Sequence, residues 1–293
     1  MKNVLVLFVL LLLASCTTKK ASSGLSQEFL KGKRLAELTG KKLDEVSGLA
    51  SSINNPGLLW AHNDSGNDAE IFLIDQKLDI KQTYILQDIK NRDWEDIAVG
   101  PGPDSTKNYI YVAEIGDNDA SSQLKYIYRF EEPILDSTEG KIPVTIFDTI
   151  TFQLSGSRKD TEALLIDPQT KDLYIISKRE EPVHIYQLKY PHAIGDTLTA
   201  VQVGSLPLTQ IVAGNISVDG TEILMKNYNH IYYWKNASYK PVLELLKEIP
   251  QEIPYEAEPQ GESIAWAIDK SGFYTISEKN KEKKSYLYFY QRR

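Results

Sequence analysis

Five short aromatic and β-branched runs recur along the chain at nearly even spacing, and this most constrains the fold. They are Ala69-Glu70-Ile71-Phe72-Leu73, Lys125-Tyr126-Ile127-Tyr128-Arg129, Val183-His184-Ile185-Tyr186-Gln187, Asn229-His230-Ile231-Tyr232-Tyr233 and Ser285-Tyr286-Leu287-Tyr288-Phe289. Their central Ile or Leu residues lie 56, 58, 46 and 56 positions apart. A period of this size holds one four-stranded unit. The 17 Tyr against 2 Met favour strands over helices. The expected fold is all-β, a five-bladed β-propeller.

A second set of runs keeps the same register: residues 58–63, 109–114, 172–177, 222–226 and 272–278. Turn residues bound them, among them Asn55-Pro56-Gly57, Asp167-Pro168 and Asp219-Gly220. Outer strands are expected at 80–86, 144–154, 199–206 and 241–246. The fifth unit reaches the last residue, Arg293, without an outer strand of its own, so segment 31–38 is expected to supply it. Such closure removes exposed sheet edges. A sixth blade would require extra strands hidden in the long second unit, residues 93–154.

The first residues specify a compartment. Met1-Lys2-Asn3 is a basic start, and residues 4–14 are an apolar run too short to span a bilayer. The run ends Leu13-Ala14-Ser15-Cys16, which resembles a bacterial lipobox. That resemblance implies a signal peptide at 1–15 and lipidation of Cys16. A polar, Ser/Lys-rich tether follows to residue 29, then the propeller domain at 30–293. Cys16 is the sole cysteine, which excludes a disulfide and a catalytic thiol. The expected location is the bacterial cell envelope. Thr17 after the cysteine favours the outer membrane, facing the periplasm.

The net charge of −7 argues against nucleic acid as a partner, since phosphate binding needs a basic field. It leaves acidic clusters free for cations. In a four-stranded unit of this kind the first strand lines the axis. Its start lies at the same end as the finish of the second strand. Glu95, Glu162 and Glu262 stand in frame at the starts of first strands, each with Ile or Leu two residues on. Ser47 takes that place in unit one, with Glu45 two residues ahead, and Gly214 takes it in unit four, beside Asn215. Carboxylates crowded on one axis repel unless a cation neutralises them. Glu45, Glu95, Glu162 and Glu262 are therefore candidate metal ligands. All-oxygen ligation suits Ca²⁺, with Mg²⁺ second, and the lack of His or Cys disfavours zinc.

The finishes of the second strands add Asn63, Asp64, Glu114, Asp117 and Asn118 on one side, and Lys178, Arg179, Lys226, Glu278 and Lys279 on the other. With Asp96 and Asn215 they form a candidate ligand mouth. A cation beside such bases would hold a phosphate, a carboxylate or a partner's loop. His62, Asp64 and Glu95 are the catalytic candidates. Three functions follow: a tethered binding module for an anionic small molecule or protein loop, a metal-dependent hydrolase of phosphoesters or lactones, and an interaction scaffold around a structural metal. No nucleophile elbow or phosphate-binding loop stands out, which favours a non-enzymatic role.

The motifs Glu45-Val46-Ser47-Gly48-Leu49, Asn63-Asp64-Ser65-Gly66, Asp93-Trp94-Glu95-Asp96-Ile97-Ala98, Gly116-Asp117-Asn118 and Thr161-Glu162-Ala163-Leu164 resemble a family of uncharacterised secreted bacterial β-propeller lipoproteins. The resemblance covers most of the chain after residue 40. It implies a fold and carries no activity. More distantly, the Glu-lined axis is similar to the calcium-centred propellers: the senescence-marker/gluconolactonase group, propeller phytases and calcium-dependent apyrases. No catalytic residue transfers from these groups, and Ser47 and Gly214 depart from a full acidic ring.

Overall fold

The structure, a computed structural model, describes residues 25–280 and 282–293. The expected signal peptide and Cys16 lie outside the described residues.

The chain is all-β. β1 (Lys33–Glu37) precedes five antiparallel units. The first holds β2 (Val46–Ser51), β3 (Leu59–Asn63), β4 (Glu70–Ile74) and β5 (Ile80–Leu86). The second holds β6 (Trp94–Pro101), β7 (Asn108–Glu114), β8 (Lys125–Glu131), β9 (Lys141–Val144) and β10 (Asp148–Leu154). The third holds β11 (Thr161–Ile166), β12 (Leu173–Ser177), β13 (Val183–Leu188) and β14 (Thr197–Leu206). The fourth holds β15 (Ala213–Ile216), β16 (Glu222–Lys226), β17 (Ile231–Lys235), a short helix α1 (Val242–Leu245) and β18 (Gln251–Ile253). The fifth holds β19 (Ser263–Trp266), β20 (Gly272–Ile276) and β21 (Tyr286–Gln291). β1 pairs antiparallel with β21, Lys33 opposite Phe289, and so completes that sheet to four strands.

Two pairings depart from simple meanders. β10 runs parallel to β14, which joins units two and three into an eight-stranded sheet. β9 runs parallel to β5 and extends the first sheet to five strands. The extra length of unit two is therefore spent on its neighbour's edge and builds no sixth unit among the described residues.

Segment 241–246, expected as an outer strand, is instead helix α1, and β18 takes the outer place beside β17. Val242, Leu245 and Leu246 fall at i, i+3 and i+4 and are all buried, a helical stripe rather than an alternating one. The tether boundary at residue 29 is also corrected. Phe29 is 1% exposed, bridges Arg292, and sets its ring edge-on to Tyr233 and Phe273 at 5.3 and 5.2 Å.

The first strands β2, β6, β11, β15 and β19 lie side by side in that order, and β19 returns beside β2. The apolar core is divided in the same cyclic way. Leu49 of unit one meets Ala265 and Ile276 of unit five. Trp60 and Ile71 of unit one meet Trp94 and Val112 of unit two. Tyr111 of unit two meets Leu164 and Ile175 of unit three, and Leu165 of unit three meets Ile223 and Trp234 of unit four. Leu224 and Tyr233 of unit four meet Trp266 and Phe273 of unit five. Each unit thus buries both faces against neighbours, which explains the uninterrupted burial of β3, β4, β11, β12 and β16.

Candidate functional site

The starts of three first strands share a local distortion. The β2–β3, β6–β7 and β11–β12 registers each slip by one residue, between Val46 and Gly48, Trp94 and Asp96, and Thr161 and Ala163. The unpaired residues are Ser47, Glu95 and Glu162, the in-frame positions. A bulge of this kind leaves its extra residue outside the ladder and re-aims it. Glu95 and Glu162 are thereby turned to the same end as the acids just before them, Asp93 and Asp160. β15 has no slip, so Gly214 simply opposes Met225.

Neighbouring units are then pinned so that their acids meet. Ser47 Oγ donates to the Glu95 carbonyl at 2.8 Å. Asn91, buried, donates from Nδ2 to the carbonyls of Asn63 and Asp64 at 3.1 and 2.8 Å, and its Oδ1 accepts the Trp94 N–H. One side chain thus fixes Asp64, after β3, next to Asp93 and Glu95. Gly116 leaves the space they need, since a Cβ there would overlap Glu95 Oε1 and Asp93.

Seven carboxylates result, in three overlapping triads: Asp64/Glu262/Glu278, Asp64/Asp93/Glu95 and Glu95/Asp160/Glu162. Within each triad one oxygen per residue lies within 4.8 Å of the others. Oxygens on opposite sides of a bound Ca²⁺ are about 4.8 Å apart, twice an ordinary Ca–O distance. The residues present therefore fit a hard cation.

Burial and mutual repulsion mark the cluster. Burial pushes Asp64 up to about 6, with Glu262 and Asp93 adding to it. It pushes Glu278 up to about 8, again helped by Glu262 and Asp64. Glu95 is raised well above the carboxylate range by burial and then by Glu162. Asp93 is raised by burial and by Asp160. Burial takes Glu162 up to about 7 despite Lys178 beside it.

Of the expected metal ligands, Glu95, Glu162 and Glu262 belong to the cluster and Glu45 does not. Glu45 is exposed and accepts Asn67 Nδ2 at 2.6 Å. It lies ahead of the β2 bulge, whose unpaired residue is Ser47 rather than an acid. Of the catalytic candidates, Asp64 and Glu95 are central, while His62 is a core residue. His62 is fully buried, has Nδ1 3.0 Å from the Asn63 carbonyl, and packs edge-on against Trp94 at 5.5 Å. Burial lowers it to about 4, so it stays neutral.

The bases expected to hold an anion are already engaged. Lys178 Nζ lies 2.8 Å from Glu162 Oε1 and 3.8 Å from Glu262 Oε1. Burial pulls its pKa down, but Glu162 outweighs this and holds it above the usual lysine value. Arg179 Nε is 2.8 Å from Asp160 Oδ2, and its Nη2 donates to Asn118. Lys226 has no exposed surface and contacts Glu258 Oε2 at 3.1 Å, the Gly261 carbonyl at 2.7 Å and the Tyr255 hydroxyl at 3.0 Å. Lys279 is exposed and reaches the Thr39 carbonyl at 3.3 Å.

Other candidates have structural partners. Asp96 accepts the N–H groups of Ile97 and Leu164 at 2.9 Å and of Gly214 at 3.4 Å. Asn215 accepts the Trp266 N–H at 2.9 Å. Asn63 Nδ2 donates to the Lys42 carbonyl at 2.8 Å. Asp117 caps its own turn through the N–H groups of Ser121 and Ser122. Glu114 sits beneath Tyr128 and Arg92. Asp96 and Asn215 thus satisfy backbone groups across unit seams, which is why polar side chains stand there.

Asp93, Asp160, Asn91 and Glu258 are the residues that sequence reasoning passed over. Asp93 and Asp160 did carry a signal, for each stands two residues before an in-frame glutamate. No family model matches the chain, and no curated protein matches it.

Proposed function

We propose that the protein is a membrane-tethered five-bladed β-propeller that binds a divalent cation, Ca²⁺ in preference to Mg²⁺, at the mouth of its central channel. The cyclic order of five first strands and the apolar contacts between every neighbouring pair of units support the propeller reading. The resemblance of Leu13–Cys16 to a bacterial lipobox supports a lipid-anchored cell-envelope protein that faces the periplasm from the outer membrane. One observation carries the cation. Asp64, Asp93 and Glu95 converge, and none of the three has a Lys, Arg or His within ion-pair distance among the described residues. Three such groups stay ionised together only when a positive charge joins them.

The occupied bases redirect the partner reading. Lys178, Arg179 and Lys226 already serve carboxylates, so an anionic ligand or a partner's loop would be held by the bound cation's open positions. Calorimetric titration with Ca²⁺ tests the reading. Binding heats with a midpoint between micromolar and millimolar Ca²⁺ that weaken in Asp93→Asn support it, and no heat in the wild type removes it.

The hydrolase reading draws on one further observation. Asp64 and Glu278 share a triad, with Asp64 raised to about 6 and Glu278 to about 8. Carboxyl groups held apart in this way suit paired acid and base roles. Turnover of phosphoester and lactone panels, compared between wild type and Glu278→Gln, decides it.

A further inference from the structure

We propose that the cluster holds two divalent cations, with Glu95 as the ligand they share. The proposal rests on the cation reading above and extends it to a second site.

Glu95 belongs to two triads at once, Asp64/Asp93/Glu95 and Glu95/Asp160/Glu162. A single carboxylate with two oxygens spans the roughly 4 Å that separates paired metal ions. The second triad carries an independent mark of a missing partner. Glu162 is 1% exposed, and its Oε1 is taken by Lys178 at 2.8 Å. Its Oε2 is fully buried with no hydrogen-bond partner. A buried carboxylate oxygen left without a donor is costly, so a cation in reach is the natural complement. Asp160 is buried too, with Oδ1 accepting the Asp117 N–H at 3.0 Å and Oδ2 beside Arg179. Each of these oxygens keeps a lone pair for a metal.

Charge balance points the same way. When ionised, the seven carboxylates face two ion-paired bases, Lys178 and Arg179. That leaves five negative charges uncompensated. One divalent ion reduces the excess to three, and two reduce it to one. The Asp64/Glu262/Glu278 triad is already served, because Glu262 accepts the Tyr228 hydroxyl and lies 3.8 Å from Lys178 Nζ. The competing arrangement is a proton shared between Glu95 and Glu162.

Titration of the purified full-length chain with Ca²⁺ alone, by calorimetry and by terbium luminescence, reads the stoichiometry directly. Two ions are expected for the wild type. Glu162→Gln and Asp160→Asn should each lose one ion and keep the other, Asp64→Asn should lose the opposite one, and Glu95→Gln should weaken both at least tenfold. Circular dichroism in chelator checks that each variant folds, and the wild-type count stands without any variant. A wild-type count of one, unchanged in Glu162→Gln, overturns the second site and leaves the single-cation reading intact. A count of zero overturns both.

Discussion

Asp96 on β6 accepts the backbone N–H of Leu164 on β11 at 2.9 Å. With the Gly214 N–H at 3.4 Å, this one carboxylate ties three units together at the ring of first strands. Asp96→Ala leaves those amides buried without an acceptor, and should lower stability by about 2–4 kcal/mol. Urea denaturation measures this. A wild-type midpoint would show that the seam does not depend on Asp96.

Lys178 is the cluster's internal cation. Lys178→Met should destabilise the chelated protein by about 3 kcal/mol, because Glu162 and Glu262 lose their nearest positive charge. Added Ca²⁺ should recover most of the loss. Thermal scans with and without chelator check this, and a loss that Ca²⁺ leaves untouched argues for a purely structural lysine.

Lys226 and Glu258 form an ion pair whose side chains are 0% and 1% exposed. Lys226→Met alone strands Glu258 and should cost about 3–5 kcal/mol. Adding Glu258→Leu should recover part of that, because no uncompensated charge is then left inside. The double-mutant cycle by urea denaturation gives the coupling directly, and additive effects would mean the pair does not act as a unit.

The raised carboxylates set a pH dependence. Asp64, Glu162 and Glu278 titrate at about 6, 7 and 8 in the folded state, each pushed up first by burial. Their unfolded values are about 4. Between these limits the folded protein binds more protons than the unfolded chain, so stability falls as pH rises. The chelated protein should melt at a lower temperature near pH 8 than near pH 5, and excess Ca²⁺ should flatten the difference. A melting temperature that ignores pH in chelator counts against the cluster's electrostatics.

Glu45 and Asp93 separate the two ways of choosing ligands. Glu45→Gln should leave Ca²⁺ affinity within about twofold of wild type, as expected for an exposed group screened by solvent. Asp93→Asn should reduce affinity at least tenfold. The reverse ranking, by calorimetry, would restore Glu45 as a ligand.

Much of the architecture was legible in the chain because strand runs are local. The phase of Ile71, Ile127, Ile185, Ile231 and Leu287 marks five repeated units, and the missing fifth outer strand points to residues 31–38, which β1 occupies beside β21. Segment 241–246 misled because a short apolar run reads as a strand or a helix alike, until burial at i, i+3 and i+4 separates them. The in-frame acids Glu95, Glu162 and Glu262 also declared which end of the units is acidic. Which acids meet was settled by tertiary structure alone. The bulges at Ser47, Glu95 and Glu162, the Asn91 bridge to Asp64, and the insertion of Lys178 between Glu162 and Glu262 join residues far apart in sequence. Sequence determines local conformation and the end of a strand at which a side chain stands. Whether a charge at that end finds a partner depends on the neighbouring unit, and so Lys178 and Lys226 became buried ion-pair partners of carboxylates while Asp64, Asp93 and Glu95 gained none among the described residues.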